Sequence, residues 1–243
     1  MIQPRPTDRW ALAGDPSAFT FDVLDHGYVA LERIEGTELD VVNAARVSYG
    51  KRSEELTDAD RGLLGFLIRE RHGSPAEMVG MLVRMRLPIF VMREHVRHRI
   101  ASLNEMSGRY VELPELWYVP RPEDVRVRVG KPGHYTYERA DIELARITAE
   151  HIEMMSASAF ESYRTMLDAG IAPEVARVIL PVNTYTEIWW RINLRSLMNY
   201  VSLRNAPTAQ WEIQQYAGPL EAIFEAHWPT IHAAFVENGR VAP

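Results

Sequence analysis

The stretch "RHRIASLNEMSGRY", residues 97–110, holds a density of polar groups that core segments do not have. Arg97, His98 and Arg99 form a basic triplet, and Asn104, Glu105, Ser107, Gly108 and Arg109 follow within ten positions. Ser107-Gly108 favours a turn. The exposed N–H groups of such a turn, the Ser107 hydroxyl and the Arg109 guanidinium make a cradle for a small phosphorylated ligand. Asn104 and Glu105 can hold the polar groups of a sugar or heterocycle. On a helix, consecutive residues point about 100° apart, so Arg97 and Arg99 would face nearly opposite sides. Either the helix lies between two ligands, or between a ligand and another subunit, or some of the triplet reaches solvent.

The elements that must position these groups are legible in outline. "MVGMLVRMRL" alternates, with Met81, Val83, Met85 and Leu87 on one face and Arg84 and Arg86 on the other, which predicts a half-buried strand. Pro88 suits the first turn of a helix, "PIFVMREHVRHRIAS", on which the basic triplet rides before the chain runs into a loop. Upstream, residues 1–18 read as a loose arm. Residues 19–35 read as two short strands around His26-Gly27, and "ELDVVNAARVS" as a helix. Thr57 is a plausible N-cap for a further helix that stops at Gly73. Downstream, prolines and Gly133 mark residues 111–139 as a long connection with strand in "VRVRV". A long helix spans about Glu138 to Asp168, stopped by Gly170, and "PEVARVIL" is short and helical. "NTYTEIWWRIN" is β-rich; "LRSLMNYVSLR" and "AQWEIQQYAGPLEAIFEAHW" are helical, the latter kinked or broken at Pro219. The whole reads as α+β, with an antiparallel sheet and several long helices in a single domain over residues 19–243.

Composition excludes several classes of function. Among 243 residues, 47% are hydrophobic and 25% charged, as in ordinary soluble proteins, and no apolar run reaches the length of a membrane span. The start lacks the apolar core of a signal peptide, so a cytoplasmic location is expected. There is no cysteine, which removes disulfides, thiolate metal sites and a cysteine nucleophile; no metal site is expected. A nucleic-acid module built on the arginine-rich segment would show steep salt dependence. The net charge of −6 argues against the broad basic surface such modules carry, so no specific nucleic acid is expected.

R-H-R followed by seven residues and Ser is the signature of the flavin-dependent thymidylate synthases, and it stands here as Arg97-His98-Arg99, Ile100 to Met106, Ser107. "AARVSYG", "HGSPAE", "EVARVILP" and "INLRSLMNYVSLRNAPTAQWEIQQYA" also resemble segments of that family, in order, so the resemblance runs from about Phe21 to Trp228. It implies an α+β subunit assembled as a homotetramer with active sites at subunit interfaces. It also implies reductive methylation of dUMP to dTMP, with FAD as cofactor, NADPH as reductant and methylenetetrahydrofolate as one-carbon donor. The absence of cysteine fits, because the other thymidylate synthase attacks uracil with a thiolate.

By the same resemblance, Ser48, Ser74, Arg97, His98, Arg99, Glu105, Asn193, Arg195 and Asn199 would hold FAD. Glu94, Arg97, Glu105, Met106, Ser107, Gly108, Arg109, Arg177 and Arg204 would lie on the dUMP side. Arg204 is the residue implied to be catalytic: at the uracil edge its permanent charge favours ionisation at N3. Ser107 has no base beside it in sequence and takes a binding role. The family commonly has Gln where this chain has Glu94. Met78 and Thr208 stand where a histidine is frequent, and neither is assigned a role.

Overall fold

The computed structural model describes residues 19–132 and 134–243, so the expected arm at 1–18 lies outside the described residues. The fold is one α+β domain built on a five-stranded antiparallel sheet. Strands β1 (Thr20–Val23) and β2 (Gly27–Glu35) form the expected hairpin. β3 (Gly80–Pro88) and β7 (Tyr185–Asn193) pair along their whole lengths, and β4 (Ser102–Glu105) lies at the edge beside β7. The order across the sheet is β1-β2-β3-β7-β4. The alternation in β3 is borne out: Met81, Val83, Met85 and Leu87 are fully buried. On the opposite face Arg84 pairs with Glu32 at 2.9 Å, Arg86 pairs with Glu187 at 3.3 Å, and both guanidinium groups lie over the Tyr28 ring.

The apolar face of the sheet is covered by helices. α1 (Glu38–Arg46) and α2 (Asp58–Arg69) each start with a capping box, from Thr37 and Thr57. α6 (Leu194–Arg204) follows β7 directly, with the Asn193 side chain accepting the Ser196 N–H at 2.9 Å. α7 (Trp211–His227) and α8 (Pro229–Glu237) complete the layer. One continuous core joins the sheet face to α1, α2, α6, α7 and α8, with Trp190, Tyr200, Tyr216, Phe224 and Trp228 buried in it.

Several expectations are corrected. α2 ends at Arg69, short of Gly73, because Arg71 turns left-handed (φ 60) and His72 N–H closes on the Leu67 carbonyl at 2.8 Å. Gly73 serves packing instead: a Cβ there would meet Arg195 Nε at 2.5 Å. The connection carries a second strand, β6 (His134–Arg139), paired with β5 (Arg126–Lys131), so Glu138 and Arg139 are strand rather than the expected helix start, and α4 (Ile142–Asp168) begins only after Asp141, which caps it. Pro219 neither breaks nor ends α7. α8 was not foreseen.

The largest correction concerns the basic triplet. Pro88 closes β3 and precedes a helix of seven residues, α3 (Ile89–His95), which ends before Arg97. The Arg97 and His98 N–H groups bond back three residues, to Glu94 and His95, and the chain then extends into β4 on the edge of β7. The ladder to β7 outweighs continuation of the helix through Val96 and the basic triplet, and the buried His95 ring anchors the exit.

Candidate functional site

Because the triplet is not helical, the opposite-faces argument fails. Arg97, His98, Arg99 and Ile100 all line one cleft of about 490 Å³, with Arg195, Ser196, Asn199, Leu203 and Arg204 from α6 and Glu77. Arg97 and Arg99 are exposed, and among the described residues neither has a carboxylate partner. Arg195 donates from Nη1 to Glu77 at 2.5 Å. A cleft with unpaired guanidinium groups on one wall suits the pyrophosphate of a dinucleotide.

Arg204 ends α6 at the inner side of this cleft. It donates from Nε to His98 Nε2 at 3.0 Å, from Nη1 to Glu94 Oε2 at 3.3 Å and from Nη2 to the Glu94 carbonyl at 3.2 Å. A guanidinium has five N–H donors. Three are used in fixing it, which leaves two for a ligand. The geometry also assigns the tautomer of His98: Nε2 accepts, so the ring is neutral. Burial and the adjacent Arg204 charge push its pKa down to about 4. Its ring stands edge-on to Tyr200 at 4.7 Å, and Tyr200 in turn meets His95, whose pKa burial pushes down to about 3. Glu94 is shifted up by burial, against the pull of Arg204 and with a push from Glu212.

A second cluster forms beyond β4. Ser107 opens a turn in which the Tyr110 and Val111 N–H groups bond its carbonyl at 3.0 and 3.2 Å, and the Arg109 N–H approaches its Oγ at 3.4 Å. Gly108 is buried against the stem of Arg177, whose Cδ would lie 3.2 Å from a Cβ at that position. Arg109 pairs with Glu174 of α5 (Pro173–Ala176) at 3.1 Å. The expected turn is therefore present and brings Ser107, Gly108, Arg109 and Arg177 together. None of these four lines the Arg204 cleft.

A family model described as "Thymidylate synthase complementing protein" matches residues 30–230. A flavin-dependent thymidylate synthase of Tropheryma whipplei (strain TW08/27) is 42% identical over 226 residues, 88% of this chain and 94% of that protein. The enzyme of the same description from Thermus thermophilus is 40% identical, over 90% of this chain and 79% of that one. The crystal structure of the UMP/dUMP methylase PolB from Streptomyces cacaoi, bound with 5-Br dUMP, superposes with a TM-score of 0.83 at 37% identity, covering 92% of this chain and 100% of that one. The chain belongs to the flavin-dependent thymidylate synthase family.

The positions expected from that family divide among the two clusters and their surroundings. Asn193 sits at the start of α6 with its side-chain carbonyl engaged as the helix cap. Ser74 opens the turn Ser74–Met78 that leads to Glu77, and Ser48 lies on the exposed turn Val47–Tyr49; neither lines the cleft in the single chain. Glu105, on β4, accepts from the Thr186 hydroxyl at 2.8 Å, and Met106 continues the ladder through the Glu187 carbonyl. Residues that line the cleft without having been expected are Glu77, Ile100, Ser196, Leu203, Ala242 and Pro243. Glu77 and Ser196 lie in segments matched to the family, whereas nothing in the sequence marks 242 and 243.

Proposed function

We propose that the protein methylates dUMP to dTMP, with methylenetetrahydrofolate as carbon donor and NADPH as reductant of bound FAD. The observation that carries this reading is Arg204. A guanidinium is fixed by Glu94 and His98 beside a cleft that Arg195 and Asn199 of the same helix line together with Arg97 and Arg99. Those cations and the Asn199 amide would hold FAD, with Ser48, Ser74, Glu105 and Asn193 closing around it. When bound, the flavin supplies hydride.

The chain's own residues bind and polarise. Arg97 and the Ser107–Arg109 turn, with Arg177, would take the phosphate of dUMP, the turn offering N–H groups and the arginines charge. Met106 and Glu105 would flank the nucleoside. Arg204 would direct its two free donors at the uracil edge and stabilise negative charge developing from N3. His98, neutral, holds Arg204 without adding a competing cation.

Because the phosphate turn does not line the Arg204 cleft, the reading includes a homotetramer in which one subunit's turn completes another's cleft. Exposed apolar side chains support assembly: Val175, Val178, Ile179 and Val182 near the turn, and Met154 and Met155 on α4, are all more than 40% accessible. The deciding experiment incubates the pure protein with dUMP, methylenetetrahydrofolate, NADPH and FAD and follows both dTMP and the flavin spectrum. Parallel reactions with UMP define the sugar preference. Flavin and dUMP binding without dTMP would refute the catalytic reading.

A further inference from the structure

The assigned residues do not explain Glu221, a carboxylate on α7 whose side chain is only 12% exposed. Its Oε2 accepts from Asn205 Nδ2 at 2.5 Å and from the Arg240 guanidinium, and its Oε1 meets His232 Nε2 at 3.0 Å. Burial pushes its pKa up, but the hydrogen bonds from Arg240, Asn205 and His232 and the Arg240 charge outweigh it and hold the pKa below the usual carboxylate range. Two of the three partners lead to the site. Asn205 is the C-cap of α6, the residue directly after Arg204. Arg240 begins the segment 240–243, whose Ala242 and Pro243 line the cleft with Arg97, His98 and Arg99.

That segment is fastened at both ends. At one end Arg240, in a left-handed conformation (φ 59) after Gly239, bonds Glu221 and bonds back through its N–H to the Phe235 carbonyl at 2.8 Å. A non-glycine residue persists in that conformation where surrounding contacts over-determine it. At the other end the Pro243 carbonyl accepts from Arg195 Nε at 2.8 Å. With Nη1 on Glu77, Arg195 is held through two nitrogens, and its Nη2 has no partner among the described residues.

We propose that Glu221 is a positioning residue that acts at two points of the site at once. Through Arg240 it holds residues 240–243 as a wall of the flavin cleft and presets Arg195. Through Asn205 it fixes the end of α6 from which Arg204 projects. The inference rests on the reading of this cleft as the flavin site.

Two variants separate the arms, each read by flavin fluorescence for FAD affinity, by dUMP binding, by kcat and by thermal melting. Arg240→Ala cuts the wall; it is expected to raise the FAD Kd about tenfold, the scale of one charge-assisted hydrogen bond, with dUMP binding unchanged. Arg240→Lys restores much of that affinity. Asn205→Ala cuts the other arm; it is expected to leave the FAD Kd within about twofold and to lower kcat about tenfold. A folded Arg240→Ala protein that binds FAD as the parent does overturns the wall, and unchanged kcat in Asn205→Ala overturns the second arm. If both losses simply follow the melting temperature, Glu221 only stabilises the fold and the proposal is wrong. A parent protein that binds no FAD refutes the flavin reading itself, and that result precedes any variant.

Discussion

The two polar clusters of this chain are built on opposite plans. Around Arg204 every group is tied to another: Glu94 and His98 bond it, Tyr200 and His95 back His98, and burial shifts the histidines far down. Around Ser107 the backbone is ordered by turn bonds, but the charged side chains face outward, with Arg109 and Glu174 each more than half exposed. A preset, part-buried guanidinium suits charge that develops during reaction, because no reorganisation is needed. A turn with ordered N–H groups, the exposed Arg109 and the part-buried Arg177 suits a phosphate that is fully charged before it binds. On the proposed reading, the difference means that one chain would supply a chemical half and a docking half.

The comparison breaks most visibly at Arg204. Arg204→Ala is expected to lower the rate of dTMP formation about a hundred- to a thousand-fold while dUMP still binds, as measured by single-turnover kinetics and titration. Unchanged turnover would put the developing charge elsewhere. Arg177→Ala is expected to raise the dUMP KM about tenfold or more, with a smaller change in kcat, since it removes ground-state binding. Mixing the two impaired variants during refolding or co-expression should return activity at low dUMP, because some sites then draw an intact turn and an intact cleft from different subunits. Absence of recovery, with tetramers formed, would mean that both halves serve within one subunit.

The histidines sharpen the same contrast. Both His95 and His98 have folded pKa values below the ordinary histidine value of 6.5, at about 3 and about 4. The unfolded chain therefore binds more protons between those values and about pH 6.5, so the stabilising effect is complete above pH 6.5 and is lost as pH falls. Melting temperature should drop on acidification from about pH 7 to about pH 5, and His98 resonances should not titrate near 6.5. A normal titration of His98 would detach it from Arg204. The smallest expected effect is that of Glu94→Gln. Gln still accepts from Arg204 but removes a negative charge beside the developing anion, so kcat should rise about two- to fivefold. A fall would show that the carboxylate itself is required.

Much of the scaffold was readable because burial imposes periodicity. The alternation of Met81 to Leu87 pointed to a strand with one buried face, and Thr57 marked a helix start as an N-cap, which the structure extends to a capping box with Asp60. The strand β6 was hidden because His134–Arg139 are exposed throughout and carry no buried face to pattern them. The end of α3 was hidden for a different reason. Helix and strand propensities do not reveal that β7 has a free edge waiting for Ser102–Glu105.

The order of segments and the R-H-R…S spacing by themselves placed the chain in its family and named Arg97, Ser107 and Arg204 as residues to watch. The absence of cysteine fixed which chemistry was closed to it. Only the tertiary structure decided that the whole triplet shares one cleft, that His98 is neutral under Arg204, and that the Ser107 turn stands apart. Those facts depend on contacts between residues about a hundred positions apart, such as Arg204 with His98 and Glu94. Local sequence encodes the turn and the helix, whereas burial and long-range hydrogen bonds set the charge states and the shared cleft.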